Sequence, residues 1–212
     1  MKTGYLTVKG QSESEYIVER SKFITCVFEI DSEETAKELL AEIKKKHPFA
    51  THNCYAYTLL DGTMRFSDDG EPQGTAGMPI LEVIKRNELF NTLVVVTRYF
   101  GGIKLGAGGL VRAYSTSASE GLKSAKIVKY MPAVSVSVCL SYEKYGKFLN
   151  FIENKTIVVT DTKFDAEITV YSVIPQDKFT EYSLSLTDYF LGGASFNELS
   201  TLFYPFDDKG VL

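Results

Sequence analysis

The spacing of apolar positions in the first half of the chain alternates between the strand period and the helix period. Residues 22–30 are rich in β-branched and aromatic side chains and predict a strand. Apolar residues recur at helical spacing from 36 to 43, which predicts a helix that Asp31 or Ser32 caps and that ends before His47-Pro48. This segment is therefore expected to form a strand followed by a helix.

A hairpin and a second helix follow in the pattern. Residues 53–60 and 63–66 predict two strands that are joined by a tight turn at Asp61-Gly62. The next helix has Thr75 as its predicted cap, and it tolerates Pro79 because that residue lies in the first turn.

A uniformly apolar run at residues 92–99 predicts a strand in the centre of the sheet, because a strand with one solvated face would alternate. Glycines then lead the chain into a helix that is predicted from about residue 110 to residue 123. Strands and helices therefore alternate throughout the first half.

The second half restarts the pattern after Met131-Pro132, so we place a boundary there and expect domains at 1–130 and 131–212. The fold class is α+β with two domains. The second domain has the predicted order β-α-β-β-α-β, which is the split βαβ order of the ferredoxin-like fold. Its elements are a strand at 133–140, a helix at 142–154, strands at 156–160 and 166–174, a helix from about 176 and a strand at 195–203.

Charge separates the two predicted domains. The formal net charge is -4, and residues 131–212 carry six Lys against eleven Asp or Glu, a net of -5, which leaves +1 for residues 1–130. A polyanion should therefore meet the first domain. The N-terminal residues contain neither a secretory signal nor a long apolar run, so we expect a cytoplasmic protein with no membrane partner.

The cysteines and histidines offer little metal or nucleophile chemistry. Three widely spaced cysteines without a Cys-x-x-Cys pair predict free thiols, and His47 and His52 are too few for a zinc site, so no metal is predicted. His52 and Cys54 lie two apart on a predicted strand and face the same way, which is the minimum geometry for a thiol–imidazole pair. A polar lining role and a structural role for His52 remain open.

The glycine-rich run after the predicted central strand is the first candidate site. Free N–H groups and the dipole at the start of a helix suit an anion, and no Asp or Glu occurs between Glu88 and Glu120. Alternatively, the glycines let a helix pack close to the sheet. The run lacks the Gly-x-x-x-x-Gly-Lys-Ser/Thr pattern of a P-loop. The candidate anion-binding or nucleic-acid-binding residues are Arg98, Lys104, Arg112, Gly101, Gly102, Gly106, Gly108 and Gly109.

An acidic turn at residues 65–77 is the second candidate site. Its carboxylates, Asp68, Asp69 and Glu71, are candidate catalytic residues together with His52, and they could hold Mg²⁺, receive a proton or pair with the cations of the glycine-rich run. Alternatively, Asp and Gly are there only to form a turn. The residues predicted to line the cleft are His52, Asn53, Arg65, Ser67, Asp68, Asp69, Glu71, Thr75 and Tyr99.

Four segments together resemble the IMPACT family, in its bacterial YigZ and YvyE branch. They are His47-Pro48, the His-Asn-Cys-Tyr-Ala-Tyr of residues 52–57, the Ser-Asp-Asp-Gly-Glu-Pro segment of residues 67–77, and residues 94–114. The resemblance covers roughly residues 15–125. One departure is Gln73, where bacterial members often carry Ser, and it leaves the turn intact.

The resemblance implies a first domain with a ribosomal-protein-domain-like βαβ fold, in the left-handed topology of elongation factor G domain IV and the GHMP kinases. It implies a second, ferredoxin-like domain similar to the C-terminal domain of elongation factor G. Eukaryotic members act in translational control, where they restrain a stress kinase by competing for its activator. For bacterial members the resemblance implies binding to RNA or the ribosome.

Our leading hypothesis is therefore a non-enzymatic protein linked to translation, which contacts RNA or the ribosome through Arg98, Lys104 and Arg112 and needs no cofactor. The first alternative is an enzyme acting on a phosphorylated or nucleotide substrate, with Mg²⁺ at the acidic turn. The second alternative is a protein-interaction module that regulates a translation stress response.

Overall fold

The computed structural model describes residues 4–153, 155–191 and 193–206. These residues form two compact units, of which the first spans Tyr5–Val128 and the second runs from Lys129 and also takes in Gly4. The described chain is mixed α/β, with ten strands and five α-helices. None of the helices in these ranges is both long and apolar enough to cross a membrane.

The first unit contains six strands and three helices, counted over residues 5–125. The strands are β1 (Tyr5–Lys9), β2 (Gln11–Val18), β3 (Ser21–Glu29), β4 (His52–Thr58), β5 (Met64–Ser67) and β6 (Thr92–Tyr99). The helices are α1 (Glu33–Lys46), α2 (Gly77–Arg86) and α3 (Gly106–Ser124).

The main sheet of this unit has the order β2-β3-β6-β4-β5, and all neighbouring strands are antiparallel. The prediction that residues 92–99 form a central strand is confirmed, since β6 has two strands on either side. Val94 and Val96 face one hydrophobic core, whereas Leu93 and Val95 face the other. Residues 93–96 are apolar without alternation because both faces of β6 are buried.

The three helices cover both faces of this sheet. Ala36, Leu40 and Ile43 of α1 pack on the Leu93 side, and α2 and α3 pack on the Val94 side. Ser32 caps α1, because its hydroxyl accepts the N–H of Thr35. Of the two residues predicted to cap α1, Asp31 and Ser32, it is Ser32 that caps the helix.

Three local expectations for the first unit were wrong. Thr75 does not cap α2, since Ala76 occupies the capping position and the Thr75 hydroxyl donates to the Pro72 carbonyl at 2.6 Å. Helix α3 starts at Gly106, four residues before the predicted start. The glycines that were expected to precede the helix therefore form its first turn, whose N–H groups need no partner within the helix. Strands β1 and β2 were missed. The half-buried face of β2 opens with Ser12 and Ser14 and its exposed face with Gln11, Glu13 and Glu15, so the apolar pattern of a strand is weak there.

The second unit carries the predicted order β-α-β-β-α-β. Its elements are β7 (Lys126–Leu140), α4 (Tyr142–Ile152), β8 (Val158–Phe164), β9 (Ile168–Pro175), a 3₁₀ turn (Gln176–Lys178), α5 (Phe179–Tyr189) and β10 (Ser195–Phe206). The strands lie in the order β10-β7-β9-β8 with antiparallel neighbours. Valines of β7 and β9 pack with Phe148 and Leu186 of the two helices to form its core.

The break predicted at Met131-Pro132 does not end a strand. β7 begins at Lys126 and continues through both residues, and Pro132 lies opposite Phe203 of β10. The predicted helix at 142–154 ends at Ile152, and its last predicted residue, Asn154, lies outside the described residues.

Candidate functional site

The loop between β6 and α3 runs from Phe100 to Leu105 and packs against the β2–β3 hairpin. A Cβ atom at Gly101 would lie 2.0 Å from the carbonyl carbon of Arg20, so only glycine fits there. The N–H of Gly101 donates to Oγ of Ser21 at 3.2 Å. Gly101 therefore serves the close packing that we considered as the alternative explanation for the glycines.

The other glycines of the run shape an open helix start. Gly102 and Gly106 have φ angles of +86° and +68°, and a Cβ at either position would meet open space. Gly108 and Gly109 lie in the first turn of α3, which contains no acidic residue. Leu105 precedes this turn and provides no side-chain cap. Among the residues that the structure describes, no side chain caps these first-turn N–H groups, as an anion-binding helix start would require.

Lys104 and Arg112 are exposed beside this helix start, and within the described ranges neither pairs with a carboxylate. A third exposed cation, Arg20, belongs to the same surface because its backbone contacts Gly101. Arg20 follows Glu19 in a two-residue hairpin turn, and both have positive φ, of 63° and 45°. No sequence pattern points to Arg20, since only the fold brings its turn to the glycine loop.

Arg98 occupies a different environment from the other cations. Its Nη1 lies 2.6 Å from Oε1 of Glu71, and the two side chains are 6% and 4% exposed. The hydroxyl of Tyr114 donates to the same oxygen at 2.8 Å, and burial raises the pKa of Tyr114 far above its usual range. Arg98 is thus neutralised inside the unit, so the geometry does not present it to a phosphate. Its pairing with the acidic turn is one of the roles expected for those carboxylates.

The alternation of side chains between the two faces of β6 predicts that Arg98 is buried. Arg98 follows Val94 and Val96 on the same face of the strand, and that face lies under α2 and α3. A cation at this position needs a buried partner, and the acidic turn supplies Glu71. The two motifs of the sequence therefore meet inside the unit through Glu71, Arg98 and Tyr114.

Asp68 caps helix α2 across the acidic turn. One carboxylate oxygen accepts the N–H groups of Ala76 and Gly77 at 3.0 and 2.8 Å, and the other accepts the N–H of Gly74 at 2.8 Å. A carboxylate at a helix N-terminus also interacts favourably with the dipole. Asp68 thus takes the role that we predicted for Thr75.

Asp69 fixes the turn to the start of β4. Its carboxylate accepts the N–H of Asn53 at 2.7 Å and lies 3.3 Å from Nζ of Lys44. The backbone of Asp69 adopts a φ of +43°, and its N–H donates to Oγ of Ser67 at 3.1 Å. The carboxylate is therefore occupied by a backbone donor and a cation.

These bonds decide whether the acidic turn fits a magnesium ion. Magnesium needs carboxylate oxygens that are free to coordinate it. The carboxylates of Asp68, Asp69 and Glu71 accept hydrogen bonds from backbone or side-chain donors of the same unit. No group of three or more His, Cys, Asp or Glu within the described ranges is placed to hold a metal ion. The residues do not fit magnesium.

His52 and Cys54 do not form a thiol–imidazole pair among the described contacts. Nδ1 of His52 lies 2.8 Å from the carbonyl oxygen of Asp69, and Nε2 lies 3.9 Å from Oε2 of Glu71. The thiol of Cys54 donates to the carbonyl of Asp68 at 3.0 Å. Burial raises the pKa of this thiol to about 12, so it stays protonated and is a poor nucleophile.

The remaining residues of the predicted cleft fall into two groups. Asn53 joins the acidic turn, and its side-chain oxygen accepts the hydroxyl of Thr97 at 2.8 Å. Arg65 points instead toward Glu33 of α1 at 3.6 Å, and the Tyr99 hydroxyl lies 2.9 Å from Nδ1 of His47. The structure therefore gathers the acidic turn with His52 and Asn53, but it places Arg65 and Tyr99 in other contacts.

Fold and site together define a two-unit α/β protein whose first unit carries an exposed basic loop. The model of the Impact N-terminal domain matches residues 19–122. The relative YvyE of Bacillus subtilis is 39% identical over 87% of both chains, and YigZ of Escherichia coli is 30% identical over 82% of this chain and 88% of its own. This chain belongs to the IMPACT family, which confirms the resemblance seen in the sequence.

A solved structure has a similar fold. The crystal structure of a hypothetical protein matches with a TM-score of 0.61 and 26% identity, over 94% of this chain and 99% of that one. Both units of the fold therefore fall within the matched length.

Proposed function

We propose that this protein is a non-enzymatic RNA-binding protein linked to translation, which contacts RNA or the ribosome through its glycine-rich loop. The observation that carries the proposal is a set of exposed cations that have no carboxylate partner within the described part of the chain and that surround an uncapped helix start. We call this set, Arg20, Lys104 and Arg112 with the loop from Phe100 to Leu105, the basic loop surface. Arg20 takes the place that the sequence had suggested for Arg98.

The basic loop surface has the chemistry that a phosphate backbone needs. Lys and Arg side chains neutralise phosphates, and glycines allow the backbone to come close to the ligand. The loop and α3 carry no acidic side chain before Glu120, so nothing in that stretch repels an anion. Three phosphate contacts predict a shallow dependence of binding on salt.

The contacts that the carboxylates of the acidic turn make support a binding function rather than catalysis. A general base or a metal site needs an oxygen that faces the substrate. Asp68 holds a helix, Asp69 holds a strand, and Glu71 neutralises Arg98. Each carboxylate therefore has a structural role that a catalytic role would disturb.

The fold assignments that connect the chain with translation are part of the proposal. The antiparallel order β10-β7-β9-β8 supports a ferredoxin-like second unit like the C-terminal domain of elongation factor G. Helices on both faces of the first sheet are compatible with the left-handed βαβ kinship that the family resemblance implies. Because the proposal links the protein to translation, we also propose a cytoplasmic location.

The test is the affinity of the full chain for a fluorescein-labelled single-stranded RNA, measured by anisotropy at several salt concentrations. Three phosphate contacts predict a slope of about -2 in log K against log salt. Replacing both Lys104 and Arg112 by Ala should weaken binding and leave a slope of about -0.7. No binding at low salt, or binding that the double replacement leaves intact, would contradict the proposal.

Arg86→Ala is the matched control. Arg86 is also exposed and ends α2, just before β6 begins, whereas Lys104 follows the end of β6. The eight residues of β6 span roughly 25 Å, and the two positions lie beyond opposite ends of this strand in the sequence. Arg86→Ala should keep the affinity and the slope of the wild type. Sedimentation with ribosomes, compared for the same variants, then tells whether the RNA is ribosomal.

A protein partner is the second candidate, and one surface favours it. Met64 and Phe66 of the edge strand β5 and Met78 of α2 are 41%, 43% and 39% exposed. An edge strand offers unpaired backbone groups to a partner, and nearby apolar side chains add contact area. Replacing Phe66 with Lys should abolish capture of a partner from the protein's own cells. Unchanged capture would exclude this surface.

A further inference from the structure

Phe100 is the first residue of the glycine-rich loop, and its ring is held in place. The side chain is 47% exposed, while its backbone N–H donates to Oγ1 of Thr51 at 3.1 Å. The guanidinium carbon of Arg98 lies over the ring, 5.5 Å from its centroid. One face of the ring therefore rests on a cation and a large part of the ring meets solvent.

Arg98 itself is fixed, so it supports the ring rigidly. Its Nη1 is bonded to Glu71, and its guanidinium also lies 5.5 Å from the ring centroid of the buried Phe23. Because Glu71 neutralises it, Arg98 contributes position rather than attraction for a phosphate. The buried ion pair thus orients an exposed aromatic ring at the edge of the basic loop surface.

We propose that Phe100 is a stacking platform for an unpaired base of single-stranded RNA, whose phosphates bind the basic loop surface. The inference rests on the proposed function and specifies its ligand. Base stacking on an aromatic ring is tolerant of sequence, and it requires a base that is not already stacked inside a duplex. Lys104 follows Phe100 by four residues, which places phosphate-binding charge within a few nucleotides of the stacked base.

Two properties separate this site from a purely electrostatic one. A phosphate-only surface binds duplex and single strand according to charge, whereas a stacking platform favours the single strand. Stacking also adds affinity without releasing counterions, so removal of the ring lowers affinity and leaves the salt slope unchanged. Arg98 and Glu71 act here as positioning residues, because they reach the ligand only through Phe100.

The first experiment compares Phe100→Leu with wild type on a labelled single-stranded RNA and on the corresponding duplex. Phe100→Leu should lose roughly tenfold in affinity for the single strand, with the same salt slope, and Phe100→Tyr should retain the affinity. Phe66→Leu is the control, since Phe66 is similarly exposed, at 43%, but lies on β5. Equal affinity of Phe100→Leu and wild type, or equal affinity of wild type for duplex and single strand, would overturn the inference.

The second experiment uses the absence of tryptophan from the sequence. Phe100→Trp introduces a single fluorophore, and stacking of a base on its indole should quench the emission when unlabelled single-stranded RNA is added. Phe66→Trp should keep its emission under the same addition. Unquenched emission of Phe100→Trp at saturating RNA would contradict stacking.

The outcomes distinguish the inference from the proposed function. In one outcome the wild type binds RNA with a slope near -2, loses affinity when Lys104 and Arg112 are replaced, and is matched in affinity by Phe100→Leu. This outcome supports the RNA-binding function and contradicts stacking on Phe100. If the wild type binds no RNA, both the RNA-binding function and the stacking inference are contradicted.

Discussion

Nη1 of Arg98 lies 2.6 Å from Oε1 of Glu71, and this contact joins the central strand of the first unit to its acidic turn. The pair is almost completely shielded from solvent, so each charge depends on the other. Tyr114 of α3 donates to the same carboxylate, which ties the turn, the strand and the helix to one point.

We expect Arg98→Met to destabilise the protein by about 3–5 kcal/mol, because it leaves Glu71 buried without its cation. Urea unfolding followed by circular dichroism measures this change. The double variant Arg98→Met, Glu71→Leu removes both charges and should recover much of the loss. A single variant that costs less than about 1 kcal/mol would show that the pair is exposed to water in solution.

Asp68 is expected to stabilise the protein through the start of helix α2. Asp68→Ala removes the acceptor for three backbone N–H groups, so it should lower the free energy of unfolding by about 2 kcal/mol. Asp61→Ala is the comparison, since Asp61 accepts one exposed N–H, from Thr63, and should cost less. Equal losses in urea unfolding for the two variants would refute the capping role.

Gly101 of the basic loop surface and Gly108 of α3 should respond to alanine in opposite directions. At Gly101 the added Cβ would lie 2.0 Å from the backbone of Arg20, so Gly101→Ala should lower stability by about 2 kcal/mol. At Gly108 it would meet only the end of Arg112, at 3.8 Å, and Gly108→Ala should raise stability by about 0.5 kcal/mol through helix propensity. Melting temperatures of the two variants test this, and a stabilised Gly101→Ala would contradict the close packing.

The three cysteines should differ in reactivity. Cys54 and Cys26 are buried, and burial raises the pKa of their thiols to about 12 and about 11. Cys139 is partly exposed. A disulfide reagent at pH about 8 should therefore label one thiol in the native protein and three after unfolding. Native Cys139→Ser should remain unlabelled, and rapid labelling of that variant would show that a buried thiol opens.

The fold was predicted most accurately where a pattern of apolar residues had a single structural explanation. The apolar residues of the 92–99 segment do not alternate with polar ones, which is typical of a strand covered on both faces, and β6 is such a strand. Strand β2 was missed because it lies at the edge of the sheet and carries polar residues on both faces from Gln11 to Glu15. Edge strands are only half buried, so their apolar signal is weak.

The candidate site was predicted in composition and only partly in arrangement. The acidic turn and the glycine run were both recognised, but which charges are buried depends on contacts between distant segments. Arg98 and Glu71 are 27 residues apart, and Arg20 meets Gly101 only through the folded hairpin. Local propensity contains no information on such contacts, although the face that Arg98 shares with Val94 and Val96 was readable from spacing.

His47 should make stability depend on pH. Burial lowers the pKa of His47 below its ordinary value of 6.5, and the neighbouring Lys46 and Lys22 lower it further, whereas Glu13 opposes them. The folded state thus prefers the neutral ring, whose Nδ1 lies 2.9 Å from the hydroxyl of Tyr99. Between the lowered pKa and 6.5 the unfolded chain binds more protons than the folded one, so stability should fall as the pH falls through this window.

The measurement is the free energy of unfolding in urea at pH about 7.5 and at pH about 5.5, which bracket the ordinary pKa of histidine. His47→Asn keeps a group near the Nδ1 position but cannot titrate, so its stability should fall less between the two pH values than that of wild type. His52→Asn removes the other imidazole and should retain the part of the fall that His47 causes. If His47→Asn and wild type lose stability equally, the burial of a neutral His47 is not the source of the pH dependence, and the carboxylates would have to account for it.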